Sequence, residues 1–158
     1  MEWTSYNERN NIIPDSQSGF RANRSTQDQL FRLINDAATS IGKGEHTMVT
    51  CFDIEKAYDK IWREGLALKL KMIKLPETLI ALILDFLSNR QIQLKVNDVL
   101  SGAVTLIAGT PQGSILSPNI FNCWVSDIPQ PPEAHHNKSS PKLSQYCDDI
   151  SVIVASPA

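Results

Sequence analysis

The sequence predicts an α+β fold in which an antiparallel sheet is backed by helices. Three observations carry that expectation. Segments with a helical period alternate with short runs of β-branched and apolar residues. "RQIQLKVND" and "VLSGAVTLIAG" read as two arms of a hairpin, and "LSQYC" and "ISVIVA" flank a second turn at Asp148 and Asp149. At 158 residues, 42% hydrophobic and 20% charged, the chain suits one domain or part of one, since domains of about 100–150 residues are commonest. Such a composition argues against wholesale disorder.

The elements follow in order. The first 20 residues, "MEWTSYNERNNIIPDSQSGF", hold no sustained period and carry Asn, Pro, Asp, Ser and Gly, which predicts an irregular start. In "STQDQLFRLINDAATSIGKG", Leu30, Leu33, Ile34, Ala37, Ala38 and Ile41 share one helical face, Ser25 and Asp28 form a capping box, and Gly42 marks the stop. "HTMVTCFDI" is rich in β-branched and apolar residues and too short for a typical helix, so a largely buried strand is expected to run toward Asp53. "KAYDKIWREGLALKLKMIKL" resumes a helical pattern with Gly65 as a break, and Pro76 suits the first turn of a buried helix over "ETLIALILDFLSNR". In the first hairpin arm Ile92, Leu94 and Val96 alternate with Gln91, Gln93 and Lys95. "GTPQGSILSPNIFNCWVSDI" opens as a loop and turns helical from about Ser114, with Pro118 tolerated near the first turn. The segment 129–142, with four prolines, reads as a surface loop.

Charge narrows the function classes. Lys plus Arg number 15 against 17 Asp plus Glu, a net charge of −2, so no chain-wide basic field marks a general nucleic-acid binder. A polynucleotide partner would need a local basic surface or one outside this chain. Cys51, Cys123 and Cys147 are widely spaced, with no pair at metal-finger spacing, and are expected to be reduced core residues of an intracellular protein. No signal peptide opens the chain, and the longest apolar stretch, "LIALIL", falls far short of a membrane span, which predicts a soluble protein without a membrane partner.

The chemistry concentrates in three acids. Asp53 ends a predicted strand, and Asp148 and Asp149 follow at a predicted hairpin tip. Adjacent carboxylates repel, so the pair invites a cation; the plainer reading is a tight turn plus a strand-end cap. If the strands are neighbours, the three carboxylates converge as two-metal phosphoryl transfer requires, with ions roughly 4 Å apart. Spacing alone leaves both readings open. His135 and His136 have no fixed acidic or Cys partner nearby, and Cys147 has no activating His, which disfavours metal and nucleophile roles for them.

"SQSGFRANRSTQDQL", "TCFDIEKAYDKIW", "GTPQGSILSP" and "YCDD", in that order and with plausible gaps, resemble the reverse transcriptases of non-LTR retrotransposons of the LINE and jockey type. The resemblance covers about Asp15 to Ala155. It implies a polymerase palm with part of the fingers: about 1–45 fingers and about 46–158 mostly palm. It further implies an RNA template, a DNA primer and dNTP as partners, and two Mg²⁺ ions, with Mn²⁺ as the alternative metal. In that resemblance Asp53 and Asp148 hold both metals, Asp149 completes the charge, and the Ile54 carbonyl is a further ligand. Tyr58 matches the aromatic gate against a ribose 2′-hydroxyl; its plain alternative is a core tyrosine. Gln112 falls where the family positions the incoming nucleotide and template base, and Gly113 allows close backbone approach. Arg21 and Arg24 match finger residues near the triphosphate, against a plain reading as solvated charge beside a helix start.

Two departures matter. Cys147 stands where Ala is usual in such elements. A complete enzyme of the family also begins earlier and continues into a primer-gripping turn and a helical thumb, so the chain is expected to lack the thumb and much of the basic duplex-holding surface. A catalytically inactive relic or domesticated palm that binds nucleic acid or protein is the alternative, and a metal-dependent nuclease a third. The compartment is intracellular, nucleus or cytoplasm, and the sequence sets no oligomeric state.

Overall fold

The computed structural model describes residues 3–132 and 140–157. In chain order the elements are α1 (Trp3–Arg9), α2 (Thr26–Gly42), β1 (Glu45–Phe52), α3 (Arg63–Met72), α4 (Glu77–Leu87), β2 (Gln91–Ile92), β3 (Lys95–Val96), β4 (Val99–Leu100), β5 (Val104–Thr105), α5 (Ser117–Trp124), β6 (Lys142–Tyr146) and β7 (Asp149–Pro157). The mixture of helices and antiparallel strands is the α+β class expected. The chain forms two compact units, Met1–Glu55 with Val125–Ala158, and Lys56–Trp124.

The first unit is a three-stranded antiparallel sheet in the order β1-β7-β6, with α2 against it. The strand expected at 46–54 is β1, ending at Phe52, and it pairs directly with the central strand of the hairpin around Asp148. Ser25 caps α2 as expected: its side chain accepts from the Asp28 N–H, and the Asp28 carboxylate accepts from the Ser25 N–H at 2.7 Å.

Three expectations for this unit need correction, and the rotation of α2 is set by its polar residues. Residues 3–9 are helical rather than irregular, because Trp3 and Asn7, one turn apart, bury a common face. The apolar face of α2 is only partly covered: Leu30, Ile34 and Ile41 are exposed, Leu33, Asp36, Ala37 and Ser40 are half-buried, and Gln29 is buried. Polar anchoring sets that rotation, since Gln29 donates to the Ser16 and Gln145 carbonyls and Asp36 pairs with Lys142. β1 is a sheet edge, so Met48, Val49 and Phe52 are exposed where a largely buried strand was expected. Cys51, on the same edge, is exposed; all three cysteines are free, and only Cys123 is buried. His135 and His136 and most of the Pro-rich segment lie outside the described residues.

The core of the first unit is therefore unusually polar. Gln17, Ser18, Gln29 and Gln145 are buried beside Ile13, Ile153 and Ala155. Interiors of that kind depend on completed hydrogen bonds, because stripping a partner from a buried polar group costs about 1–3 kcal/mol.

The second unit buries conventional apolar side chains. Leu66 and Leu70 of α3, Ile83 and Leu87 of α4, and Ile120 and Phe121 of α5 are fully buried, each stabilising by roughly 1.5–3 kcal/mol relative to exposure. Gly65 sits inside α3 rather than breaking it; a Cβ there would stand 2.3 Å from the Trp62 ring, so glycine lets that ring lie on the first turn. Helix α5 starts at Ser117, three residues later than expected, with Pro118 in its first turn. The expected hairpin is present as two short ladders, β2 with β5 and β3 with β4. Asn97 and Asp98, both at positive φ, close its tip, as a two-residue type I′ turn requires.

Candidate active site

The aspartate turn falls one residue earlier than expected, at Cys147–Asp148 rather than Asp148–Asp149. The β6–β7 ladder runs from Lys142 opposite Ile153 to Tyr146 opposite Asp149, which leaves Cys147 and Asp148 as a two-residue connection and makes Asp149 the first residue of β7. Cys147 takes φ +58°. Glycine is the usual residue for such a backbone, and a side chain there costs about 1–3 kcal/mol unless its surroundings hold it.

Those surroundings are the "SQSG" segment. Fully buried Gln17 grips Cys147 from both sides: its Oε1 accepts from the Cys147 N–H at 3.0 Å, and its Nε2 donates to the Cys147 carbonyl at 2.9 Å. The same Oε1 accepts from the Gly19 N–H at 2.7 Å. Gly19 lies so close that a Cβ would fall 2.3 Å from the Cys147 nitrogen and 2.6 Å from its Sγ. Residues 16–18 add to the free edge of β6, with the Gln145 N–H donating to Ser16 O at 2.7 Å and the Ser18 N–H to Gln145 O at 2.9 Å. Sequence reasoning placed this segment in the resemblance but assigned Gln17, Gly19 and Gln29 no task. The available signal was a glutamine set two residues before a glycine in an otherwise small, polar loop.

The three aspartates lie at one end of the sheet. The last β1–β7 pair is Phe52 with Ile150, so Asp53 and Asp149 are the next residues on adjacent strands, and Asp148 follows in the turn. Asp53 and Asp149 are exposed and Asp148 is half-buried. Among the described residues none of the three makes an ion pair, and the local field is negative. Cys147 reports it: burial first, then the charges of Asp148 and Asp149, push its thiol up to about 11.

Hard carboxylate oxygens are the donors Mg²⁺ and Mn²⁺ prefer, so in donor chemistry these residues suit a divalent cation. Among the described residues, however, no three His, Cys, Asp or Glu side chains are already gathered closely enough to hold an ion. Neighbouring strands run about 4.7–4.9 Å apart, so rotation of exposed side chains on adjacent strand ends is what such gathering would take.

Arg21 and Arg24, in the same unit, are both engaged. Arg21 is half-buried and forks onto Glu8, with Nε to Oε1 at 2.8 Å and an Nη to Oε2 at 2.6 Å, while its other Nη donates to the Pro14 and Gln17 carbonyls. Its bonds therefore brace the 13–17 turn that carries Gln17. That ion pair and hydrogen bond hold the Glu8 carboxyl below the usual range. Arg24 pairs with Asp15 at 2.6 Å and is more open, its partner being 87% exposed.

In the second unit Tyr58 is half-buried, its ring stacked on Phe121 at 5.1 Å. The loop that ends in Gln112 and Gly113 is tied down beside it. The Thr110 N–H donates to Tyr58 O and the Gly109 N–H to Ile61 O, both at 2.9 Å, and a Cβ on Gly109 would strike the Asp59 backbone. Arg63 and Arg90 donate to the Leu106 and Gly109 carbonyls at 2.8 Å. Burial, then the charge of Arg63, lowers the Arg90 pKa from its ordinary value. Gln112 itself is exposed, and Gly113 takes φ +85°, a backbone that glycine adopts without penalty.

The family model described as "Reverse transcriptase (RNA-dependent DNA polymerase)" matches residues 2–158. The chain is 33% identical over 145 residues to the probable RNA-directed DNA polymerase from transposon X-element of Drosophila melanogaster, covering 92% of this chain and 16% of that protein. It is 32% identical over 145 residues to the RNA-directed DNA polymerase from mobile element jockey of the same species, covering 91% of this chain and 16% of that protein. The probable polymerase from transposon BS, also of Drosophila melanogaster, is 31% identical over 147 residues, covering 92% of this chain and 16% of that protein. The chain thus spans about a sixth of the length of these relatives, and it belongs to the reverse transcriptase family, as a partial domain of the non-LTR retrotransposon kind.

Proposed function

We propose that the chain is the catalytic palm, with part of the fingers, of an RNA-directed DNA polymerase that extends a DNA primer on an RNA template from dNTP. The observation that carries this is the strand register, which sets Asp53 beside Asp149 and the Cys147–Asp148 turn on a chain of this family. About 1–45 are assigned to the fingers and about 46–158 to the palm.

Asp53, Asp148 and the Ile54 carbonyl would hold two divalent cations, with Asp149 adding charge. When bound, such ions activate a primer 3′-hydroxyl and neutralise departing pyrophosphate. The protein's own work is to hold the carboxylates on a rigid sheet end. Tyr58, braced by its stack on Phe121, is assigned the check against a ribose 2′-hydroxyl, and Gln112 with Gly113 the placement of the incoming nucleotide. Arg24 is the better candidate for gripping phosphate, since its exposed partner Asp15 is readily exchanged; Arg21 acts as a structural brace. Among the described residues no helix is long and apolar enough to cross a membrane.

The test is primer extension on poly(rA)·oligo(dT) by wild type and Asp148→Asn, with Mn²⁺ affinity measured on both. Divalent-dependent incorporation by wild type is expected, with none by the variant, weaker Mn²⁺ binding and an unchanged melting temperature. Equal extension or equal Mn²⁺ affinity in the two proteins overturns the assignment.

A further inference from the structure

We propose that Gln17 is a positioning residue for the aspartate turn: its side-chain amide fixes the backbone of Cys147 and thereby the direction in which Asp148 presents its carboxylate. The proposal rests on the carboxylate reading above and adds to it a residue 130 positions upstream.

Three observations converge. Gln17 is fully buried, and both ends of its amide are used on the turn, one accepting from the Cys147 N–H and one donating to the Cys147 carbonyl. Cys147 holds a positive φ that a cysteine does not favour, so the turn needs an external constraint to stay in that state. Gly19 closes the remaining side; it leaves no room for a Cβ against the Cys147 backbone, and its own N–H aims the Gln17 oxygen. A buried amide with two bonds to one residue restricts that residue far more than apolar contact would, because both bonds have preferred directions. Asp148 is the next residue in the chain, so its backbone inherits the restraint.

This predicts that the clamp is separable from the stability of the unit, since glycine at position 147 supplies the same backbone without being held. The experiment uses the 158-residue chain and Mn²⁺ alone as probe, read by titration calorimetry or by the loss of the free-ion EPR signal. Gln17→Met keeps the volume and removes both hydrogen bonds. It is expected to weaken Mn²⁺ binding about tenfold, the usual scale for losing an orienting partner of a ligand. Cys147→Gly added to Gln17→Met is expected to recover most of that loss.

The outcomes separate the two levels of argument. If Asp148→Asn loses Mn²⁺ but Gln17→Met does not, the role of Gln17 is overturned while the carboxylate site stands. If neither variant changes Mn²⁺ binding, the site reading itself has failed. A loss in Gln17→Met that glycine at 147 does not repair marks Gln17 as ordinary packing, and also overturns the proposal. Should Gln17→Met fail to fold, amide hydrogen exchange in the wild-type chain decides: the clamp requires the Cys147 N–H to be protected like the β6–β7 ladder, and exchange at an unprotected rate refutes it.

Discussion

Replacing Gly19 by alanine puts one methyl group against a backbone that has nowhere to go. The new Cβ would lie 2.3 Å from the Cys147 nitrogen and 2.9 Å from its Cα. Both are main-chain atoms in a two-residue hairpin, so no side-chain rotation relieves the contact. Overpacking of this kind costs about 1–3 kcal/mol. Relief by moving the turn would also break the two Gln17 bonds to Cys147, at about 1 kcal/mol each. The sum is about 3–5 kcal/mol, or roughly a 6–20 °C fall in melting temperature at 2–4 °C per kcal/mol for a chain of this size. Gly42→Ala is the matched control. It ends α2 with nothing within 4 Å of the added Cβ, and alanine in a helix is favoured over glycine by about 0.5–1 kcal/mol. Thermal and urea unfolding of both variants should therefore move in opposite directions. A Gly19→Ala protein within about 1 kcal/mol of wild type, on the overpacking scale used here, would refute the close packing of this segment on the turn.

Two further outcomes follow from the local charges. With its thiol pushed up to about 11 by burial and the adjacent aspartates, Cys147 should alkylate at pH 8 more slowly than exposed Cys51, and Asp148→Asn should speed it by removing one of the charges; mass-resolved labelling reads both, and equal rates at the two cysteines would contradict the field described. Arg21 holds the Glu8 carboxyl below its ordinary value, so this pair contributes stability above the unfolded carboxylate range and loses it as pH falls through the depressed folded value. Glu8→Gln should accordingly be less stable than wild type at pH 7, with the gap in urea midpoint narrowing below about pH 4, where the unfolded-state carboxyl titrates; a gap independent of pH would sink that account.

What could be read from the sequence divides along a physical line. Signals that are local in the chain were legible: the Ser25–Asp28 box and a turn between the arms of the first hairpin each specify their structure within a few residues, and the second turn was legible to within one residue, at Cys147–Asp148 in place of Asp148–Asp149. Signals that depend on what an element meets were not. Periodicity marked Leu30, Ile34 and Ile41 as one apolar face, which they form, but it cannot say that Gln29 and Asp36 will find partners on β6 and turn that face outward. The buried-strand pattern of β1 likewise described its composition and not its place at an edge. The candidate site shows the same division at higher stakes. Its carboxylates announce themselves by charge, whereas Gln17 is one neutral side chain whose meaning appears only when a loop from one end of the chain is laid along a hairpin from the other. Because the bonds that order the turn are also bonds of this unit's polar core, a substitution that loosens either should loosen both. Stability and cation affinity are then expected to fall together when Gln17 or Gly19 is changed, except where glycine at position 147 supplies the backbone directly.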